Sequence, residues 1–132
     1  MDLEILEIAS NTENNKVVIN HTHSSRHKNA MCGDTMQVSL IIKKNIIREF
    51  GYQCKSCVYC QAAVSLLSRN AINKSTESLK NLIKITENFF EKENFNFTKE
   101  WSVFKKLFKK KNIVRKECLK LPFKTLSKAL KK

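Results

Sequence analysis

The stretch TMQVSLIIKKNIIREFGYQCKSCVYC, residues 35–60, contains the pattern that decides the fold. Four apolar side chains of its first part fall on alternate positions: Met36, Val38, Leu40 and Ile42. This is the period of a strand with one buried face. Residues 43–45 suit a hairpin turn, and residues 46–54 are the expected pairing strand. The sequence therefore predicts an antiparallel hairpin that ends beside a group of cysteines.

The chain around this hairpin is predicted to be mainly helical. A short helix is expected near the start, at residues 2–10. Helical spacing or capping residues predict four more helices after the hairpin, at residues 58–72, 75–91, 98–108 and 119–132. Residues 16–20 are predicted as a short strand or an extended segment, and the polar residues 20–30 as a loop. The sum is an α+β fold, in which a small antiparallel sheet is packed by helices. We find no linker and expect one domain over residues 1–132.

Charge and composition limit the classes of function. The chain has 25 basic and 12 acidic side chains and a net charge of +13, which favours acidic partners. Compositional drift towards Lys, Asn and Ile is the alternative origin of this charge. No apolar run approaches the roughly 20 residues of a membrane helix, and the start MDLEILEIAS predicts no signal peptide. We therefore expect a cytoplasmic protein without a membrane span, whose clustered cysteines serve metal or thiol chemistry.

Three cysteines and one aspartate are candidates for a site at one end of the hairpin. Cys32 and Asp34 flank Gly33, which allows a tight turn just before the first long strand. Cys57 follows the second strand, which returns to the same end, and Cys118 lies beside the final helix, where it can close the site. Three thiolates and a carboxylate suit a tetrahedral zinc ion or an iron–sulfur cluster. Packing in the core is the alternative role of each cysteine.

These motifs resemble those of the SufU/IscU family, the NifU N-terminal-like scaffolds for iron–sulfur cluster assembly. The similarity runs through CGDTMQVSL, IIREFGYQCKSCVYCQAAVSLL and VRKECLKL, in this order, and spans most of the chain. Alignment on AAVSLL, residues 62–67, puts the family's second cysteine at Cys57 rather than at Cys54. The resemblance implies a three-stranded antiparallel sheet packed by helices.

The resemblance also implies an activity. Members accept persulfide sulfur from a cysteine desulfurase, build or carry a cluster, and pass cluster or sulfur to apo iron–sulfur proteins. By this likeness Cys32, Asp34, Cys57 and Cys118 bind zinc or a [2Fe–2S] or [4Fe–4S] cluster, and the three cysteines are the sulfur-acceptor candidates. The long interval before Cys118, and Glu117 next to it, favour the SufU-like branch. Such a protein is a scaffold, or resembles a zinc-dependent sulfurtransferase, rather than a conventional enzyme.

Two cysteines of CKSCVYC, residues 54–60, depart from the family pattern. This chain has Ser56 where the family usually has Gly, and Cys60 where it usually has Ser. Side-chain alternation along a strand points Cys54 away from Cys57. Cys60 lies one helical turn beyond Cys57 and is a candidate for an auxiliary ligand or thiol.

Two other functions stay open on the sequence. The stretch CKSCVYC suggests a cluster-holding electron carrier, although the local fourth ligand followed by Pro that is typical of ferredoxins is missing. The charge of +13 suggests a basic zinc-containing nucleic-acid-binding module, but paired zinc-binding motifs are missing, so nucleic acid is disfavoured as a partner. His21, His23 and His27 are predicted to lie in a solvated loop rather than to bind a metal.

Overall fold

The computed structural model describes residues 3–30, 33–91 and 96–131 and has an α+β fold. In chain order the main elements are α1 (Leu3–Ala9), β1 (His23–Lys28), β2 (Thr35–Lys43), β3 (Ile46–Lys55), α2 (Val58–Ala71), α3 (Thr76–Asn88) and α4 (Lys116–Leu130). Two 3₁₀ helices, Lys99–Lys106 and Lys110–Arg115, connect α3 to α4. The three strands form one antiparallel sheet in the order β1-β2-β3. The predicted fold class, a small three-stranded antiparallel sheet packed by helices, is confirmed.

The predicted hairpin is formed by β2 and β3. Lys44 and Asn45 connect the strands with φ of 54° and 62°, the positive values that a tight two-residue hairpin turn requires. Thr35 pairs with Lys55, so the first residue of β2 lies beside the last residue of β3. This register brings the segments that precede β2 and follow β3 to the same end of the sheet.

The third strand is not where the sequence predicted it. β1 lies within residues 20–30, which were predicted to be a loop, and residues 16–20 do not form a strand. The sequence of β1, HSSRHK, has no apolar residue to indicate a buried face. β1 is an edge strand, and Ser25 Oγ donates a hydrogen bond to the Thr125 carbonyl of α4. Polar contacts of this kind hold β1 in place of an apolar stripe.

Residues 14–18 lie against the sheet without joining it as a full strand. The Val18 backbone N–H donates to Ser39 Oγ at 2.9 Å, and the Val18 side chain is buried. Gly51 permits this close approach, because a Cβ atom there would lie 2.4 Å from the Lys16 carbonyl oxygen. Of the apolar residues that suggested a strand, Val18 therefore covers the sheet, whereas Val17 and Ile19 are exposed.

The helices after the hairpin largely follow the prediction, with two differences towards the end. The predicted helix from Thr98 is a 3₁₀ helix, and α4 begins at Lys116 rather than at residue 119. The 3₁₀ helix Lys110–Arg115 is followed directly by α4, so helical structure continues on the N-terminal side of α4. As a result Cys118 lies in the first turn of α4, and Pro122 lies inside the helix.

The core lies between the sheet and the helices. Aromatic side chains that follow α2 in the chain are buried and in mutual contact: Phe89, Phe90, Phe97, Trp101, Phe104, Phe108 and Phe123. On the sheet, Met36, Val38 and Leu40 are fully buried as predicted. A register shift after Ile41 leaves Ile42 only partly buried. In the part of the chain that the structure describes, no helix is long and apolar enough to cross a membrane.

Candidate metal centre

Three potential metal ligands from separate elements meet at one end of the sheet. Asp34 directly precedes β2, Cys57 is the N-cap residue of α2 just beyond β3, and Cys118 lies in the first turn of α4. A carboxylate oxygen of Asp34 and the Sγ atoms of the two cysteines lie within 4.8 Å of one another. The hairpin register brings Asp34 and Cys57 together, and α4 contributes the third group.

The turn before β2 orients the Asp34 carboxylate. Gly33 has φ of +76°, in the region that favours glycine. The Gly33 N–H donates to the Asn29 carbonyl at 2.8 Å, and the Asn29 N–H donates to the Asp34 carbonyl at 2.8 Å. The backbone N–H of Cys57 donates to Asp34 Oδ2 at 3.4 Å. The tight turn that was predicted at Gly33 is therefore present, and it directs Asp34 towards the start of α2.

The donor set and its spacing suit a metal ion. Thiolates bind zinc at about 2.3 Å, so two of them on one tetrahedral ion lie roughly 3.8 Å apart. A contraction of about 1 Å at most would therefore bring all three donors into bonding positions. Cysteine thiolates are also the usual ligands of iron–sulfur clusters. Asp34 and Cys57 are half-buried and Cys118 is buried, which leaves the group reachable from the side of the first two residues.

The remaining cysteines lie differently with respect to this group. Cys32 lies outside the described residues. Among the cysteines that the structure does describe, Cys57 and Cys118 belong to the ligand group, whereas Cys54 and Cys60 do not. Burial raises the pKa of the Cys54 and Cys60 thiols, and the negative charges of Asp34 and Cys57 act in the same direction. Along the chain, each of the two cysteines is three residues from Cys57.

One contact beside the centre was not predicted from the sequence. The Arg115 guanidinium lies 5.4 Å from the centroid of the Tyr59 ring, a cation–π distance. Tyr59 follows Cys57 by two residues, and Arg115 precedes Cys118 by three. The pair therefore connects the start of α2 to the start of α4. No local pattern indicates it, because its two members are far apart along the chain.

The histidines do not join the candidate centre. His23 and His27 are residues of β1, so their predicted position in a loop is wrong. His27 is partly buried, and this burial together with the nearby Lys128 and Lys124 lowers its pKa. The group of potential ligands found among the described residues contains no histidine. The positive neighbours of His27 also disfavour a bound cation there.

Fold and site together define a small α+β protein with a group of cysteine and aspartate ligands at one end of its sheet. The sequence profile of the NifU-like N-terminal domain matches residues 2–94. A curated relative, the iron–sulfur cluster assembly scaffold protein IscU of Thermotoga maritima, is 31% identical over 105 residues, which cover 80% of this chain and 74% of the relative. The chain belongs to the NifU-like N-terminal domain family, and the resemblance to SufU/IscU proteins is confirmed.

Solved structures with the same fold include two proteins of this kind. The N-terminal NifU-like protein of Brucella abortus superposes with a TM-score of 0.90 at 19% identity, over 98% of this chain and 91% of that one. A putative iron–sulfur cluster assembly scaffold protein for the SUF system, from Fervidobacterium islandicum AW-1, also gives a TM-score of 0.90. Its identity is 21%, over 98% of this chain and 96% of the other. These similarities establish the fold.

Proposed function

We propose that this protein is an iron–sulfur cluster assembly scaffold. It accepts persulfide sulfur from a cysteine desulfurase and passes cluster or sulfur to apo iron–sulfur proteins. The observation that carries the proposal is the convergence of Asp34, Cys57 and Cys118 within 4.8 Å in a chain of the NifU-like family. The relative from Thermotoga maritima is itself named an iron–sulfur cluster assembly scaffold.

The proposed ligand set is Cys32, Asp34, Cys57 and Cys118. It holds zinc, or it assembles a [2Fe–2S] or [4Fe–4S] cluster as cargo for delivery. Asp34 is the one hard ligand among soft thiolates, so it is the ligand that is exchanged most readily for a thiol of a partner protein. Its half-buried position at the open side of the group supports this role.

Of Cys57 and Cys118, the two candidate sulfur acceptors that the structure describes, Cys57 is favoured. The thiolate is the reactive form of a cysteine in sulfur chemistry. In the transfer step, Cys57 Sγ attacks the terminal sulfur of the desulfurase persulfide. A persulfide forms on Cys57, and the desulfurase cysteine leaves as a thiolate. Cys57 is half-buried, whereas Cys118 is buried, so a partner reaches Cys57 more easily. Cys32 and Cys118 are the alternative acceptors.

We also propose that residues 1–132 act as one scaffold domain in the cytoplasm. The buried residues of the described chain form a single cluster that runs from Ile5 in α1 to Ala129 in α4. A single core of this extent supports one domain.

Anaerobic reconstitution tests the proposed function. The protein is incubated with ferrous iron, cysteine, a dithiol reductant and a cysteine desulfurase, and is then mixed with an apo-ferredoxin in the presence of an iron chelator. The wild type should assemble a cluster and transfer it. Cys57→Ala should reduce cluster assembly at least about tenfold. Loss of a residue that only hydrogen-bonds a metal ligand already lowers metal affinity or activity by about that factor. Cys54→Ala, the matched control from the same stretch, should assemble and transfer as the wild type does. Equal transfer by Cys57→Ala and the wild type would contradict the proposal.

A further inference from the structure

The sequence CVYC places two thiols at the start of α2. Cys57 is the N-cap residue, with φ −71° and ψ 167°, and Cys60 is the third residue of the helix. The rise and radius of an α-helix put Cα atoms that are three residues apart at a distance of about 5 Å, and the Cys57 carbonyl already accepts the first helical hydrogen bond, from the Gln61 N–H. Disulfides join residues whose Cα atoms lie about 4.4–6.8 Å apart. The Cys57–Cys60 pair is therefore close enough to form a disulfide with a small local adjustment.

The two thiols differ in access. Cys57 is half-buried within the candidate ligand group, whereas Cys60 has 0% exposure and lies outside that group. A partner protein or a small persulfide donor therefore reaches Cys57 but not Cys60. An accessible thiol followed three residues later by a buried thiol, at the start of a helix, is the arrangement of C-x-x-C redox pairs. In such a pair the second thiol attacks the sulfur atom of the first cysteine and displaces the sulfur that is bonded to it.

Cluster assembly requires a reduction that this pair can supply. Clusters contain sulfide, whereas the transferred sulfur of a persulfide is two electrons more oxidised than sulfide. A scaffold that accepts persulfide sulfur therefore needs two electrons for each sulfur that enters a cluster. Two thiols release two electrons when they become a disulfide.

We propose that Cys60 is a resolving thiol that releases sulfur held on Cys57 as sulfide. The inference rests on the proposed acceptance of sulfur by Cys57. Cys60 Sγ attacks Cys57 Sγ, so that a Cys57–Cys60 bond forms and the bond from Cys57 Sγ to the transferred sulfur breaks. The thiol proton of Cys60 leaves with that sulfur as HS⁻. The two cysteines together supply both electrons, and the step needs no other reductant.

The step has a consequence for the ligand group. Sulfide is released beside Asp34 and Cys118, where the cluster is to be built. Cys57 is unavailable as a ligand while it is in the disulfide. A dithiol reductant must then reopen the Cys57–Cys60 bond before the next sulfur is accepted, so each chain releases one sulfide per reduction.

Inorganic polysulfide is the probe for this step. The reduced full-length protein is treated with polysulfide without oxygen, desalted, and analysed by intact mass, by peptide mapping and by a sulfide assay. The wild type should lose the mass of two hydrogen atoms, release sulfide and yield a Cys57–Cys60 linked peptide. Cys60→Ser should keep one additional sulfur atom on Cys57 and form none of this disulfide. Cys60→Ala provides a second variant in case the serine hydroxyl disturbs the core, and Cys54→Ser is the matched control that should behave as the wild type.

The outcomes separate the two proposals. If the wild type keeps the additional sulfur on Cys57 as long as Cys60→Ser does, the resolving role is overturned while the acceptor role stands. A Cys54–Cys57 disulfide in the wild type would also overturn it, because the resolving thiol would then be Cys54. If neither protein acquires sulfur or a disulfide at Cys57, the acceptor role of Cys57 fails and the inference fails with it.

Discussion

Gly51 is the residue of β3 against which residues 16–18 pack. A Cβ atom there would lie 2.4 Å from the Lys16 carbonyl oxygen and 2.9 Å from Val18 Cγ2. Because a backbone oxygen cannot rotate away, Gly51→Ala should push residues 14–18 off the sheet. We expect a loss of about 1–3 kcal/mol in the free energy of unfolding, the usual cost of overpacking. Urea denaturation of the purified variant measures it.

Ser39→Ala is the matched variant for this prediction. It removes the hydroxyl that accepts the hydrogen bond of the Val18 N–H but introduces no clash. Its cost should be about 1–3 kcal/mol, because the buried Val18 N–H is left without its partner. If Gly51→Ala were as stable as the wild type, the packing described for residues 14–18 would be incorrect.

The sequence predicted that Asp34 and Cys57 lie together, but it did not predict where the Cys54 and Cys60 side chains lie relative to them. Asp34 and Cys57 were expected to meet because a hairpin returns to its starting end, and the register of β2 and β3 shows why. The proximity of Cys54 and Cys60 to the centre depends on how α2 packs after β3. Side-chain alternation applies only to strand residues, and Cys57 is a helix cap rather than a strand residue. Side-chain alternation alone therefore does not determine how the Cys54 side chain lies relative to that of Cys57.

At the scale of elements, α3 offers a direct test of a capping interaction. Ser75 is the N-cap residue of this helix, and its Oγ accepts a hydrogen bond from the Ser78 N–H at 3.0 Å. Ser75→Ala should lower the free energy of unfolding by about 1 kcal/mol, because one N–H of the first turn loses its partner. Thermal or urea denaturation measures the difference. Ser78→Ala keeps that N–H and should change stability little; an equal effect of the two substitutions would contradict the cap.

Elements with a regular apolar period were predicted well, and those held by polar contacts were not. β2 shows alternation and α3 shows helical spacing, and both lie close to their predicted bounds. β1 has no apolar residue, so only its pairing with β2 and its contact with α4 reveal it as a strand. The start of α4 was placed too late because the preceding 3₁₀ helix has no period that distinguishes it from a loop.

At the scale of the whole molecule, the candidate centre depends on packing between distant parts of the chain. Asp34 and Cys57 come from the hairpin, but Cys118 joins them through the position of α4. α4 packs against the sheet and against α2, which fixes its first turn near the other two ligands. Local sequence placed Cys118 only beside the final helix. Its role in the ligand set was proposed because it could close the site there, was also implied by the resemblance to SufU/IscU proteins, and stays a prediction.

The metal, iron and acid-labile sulfide content of protein purified without oxygen tests the central claim most directly. The wild type should contain stoichiometric zinc, or iron with a matching amount of sulfide. Cys57→Ser should lose this content because it removes one of the converging ligands, while Cys54→Ser should retain it. Wild-type protein without metal or sulfide, or a Cys57→Ser variant with undiminished content, would contradict the assignment of this site as the metal centre of a cluster scaffold.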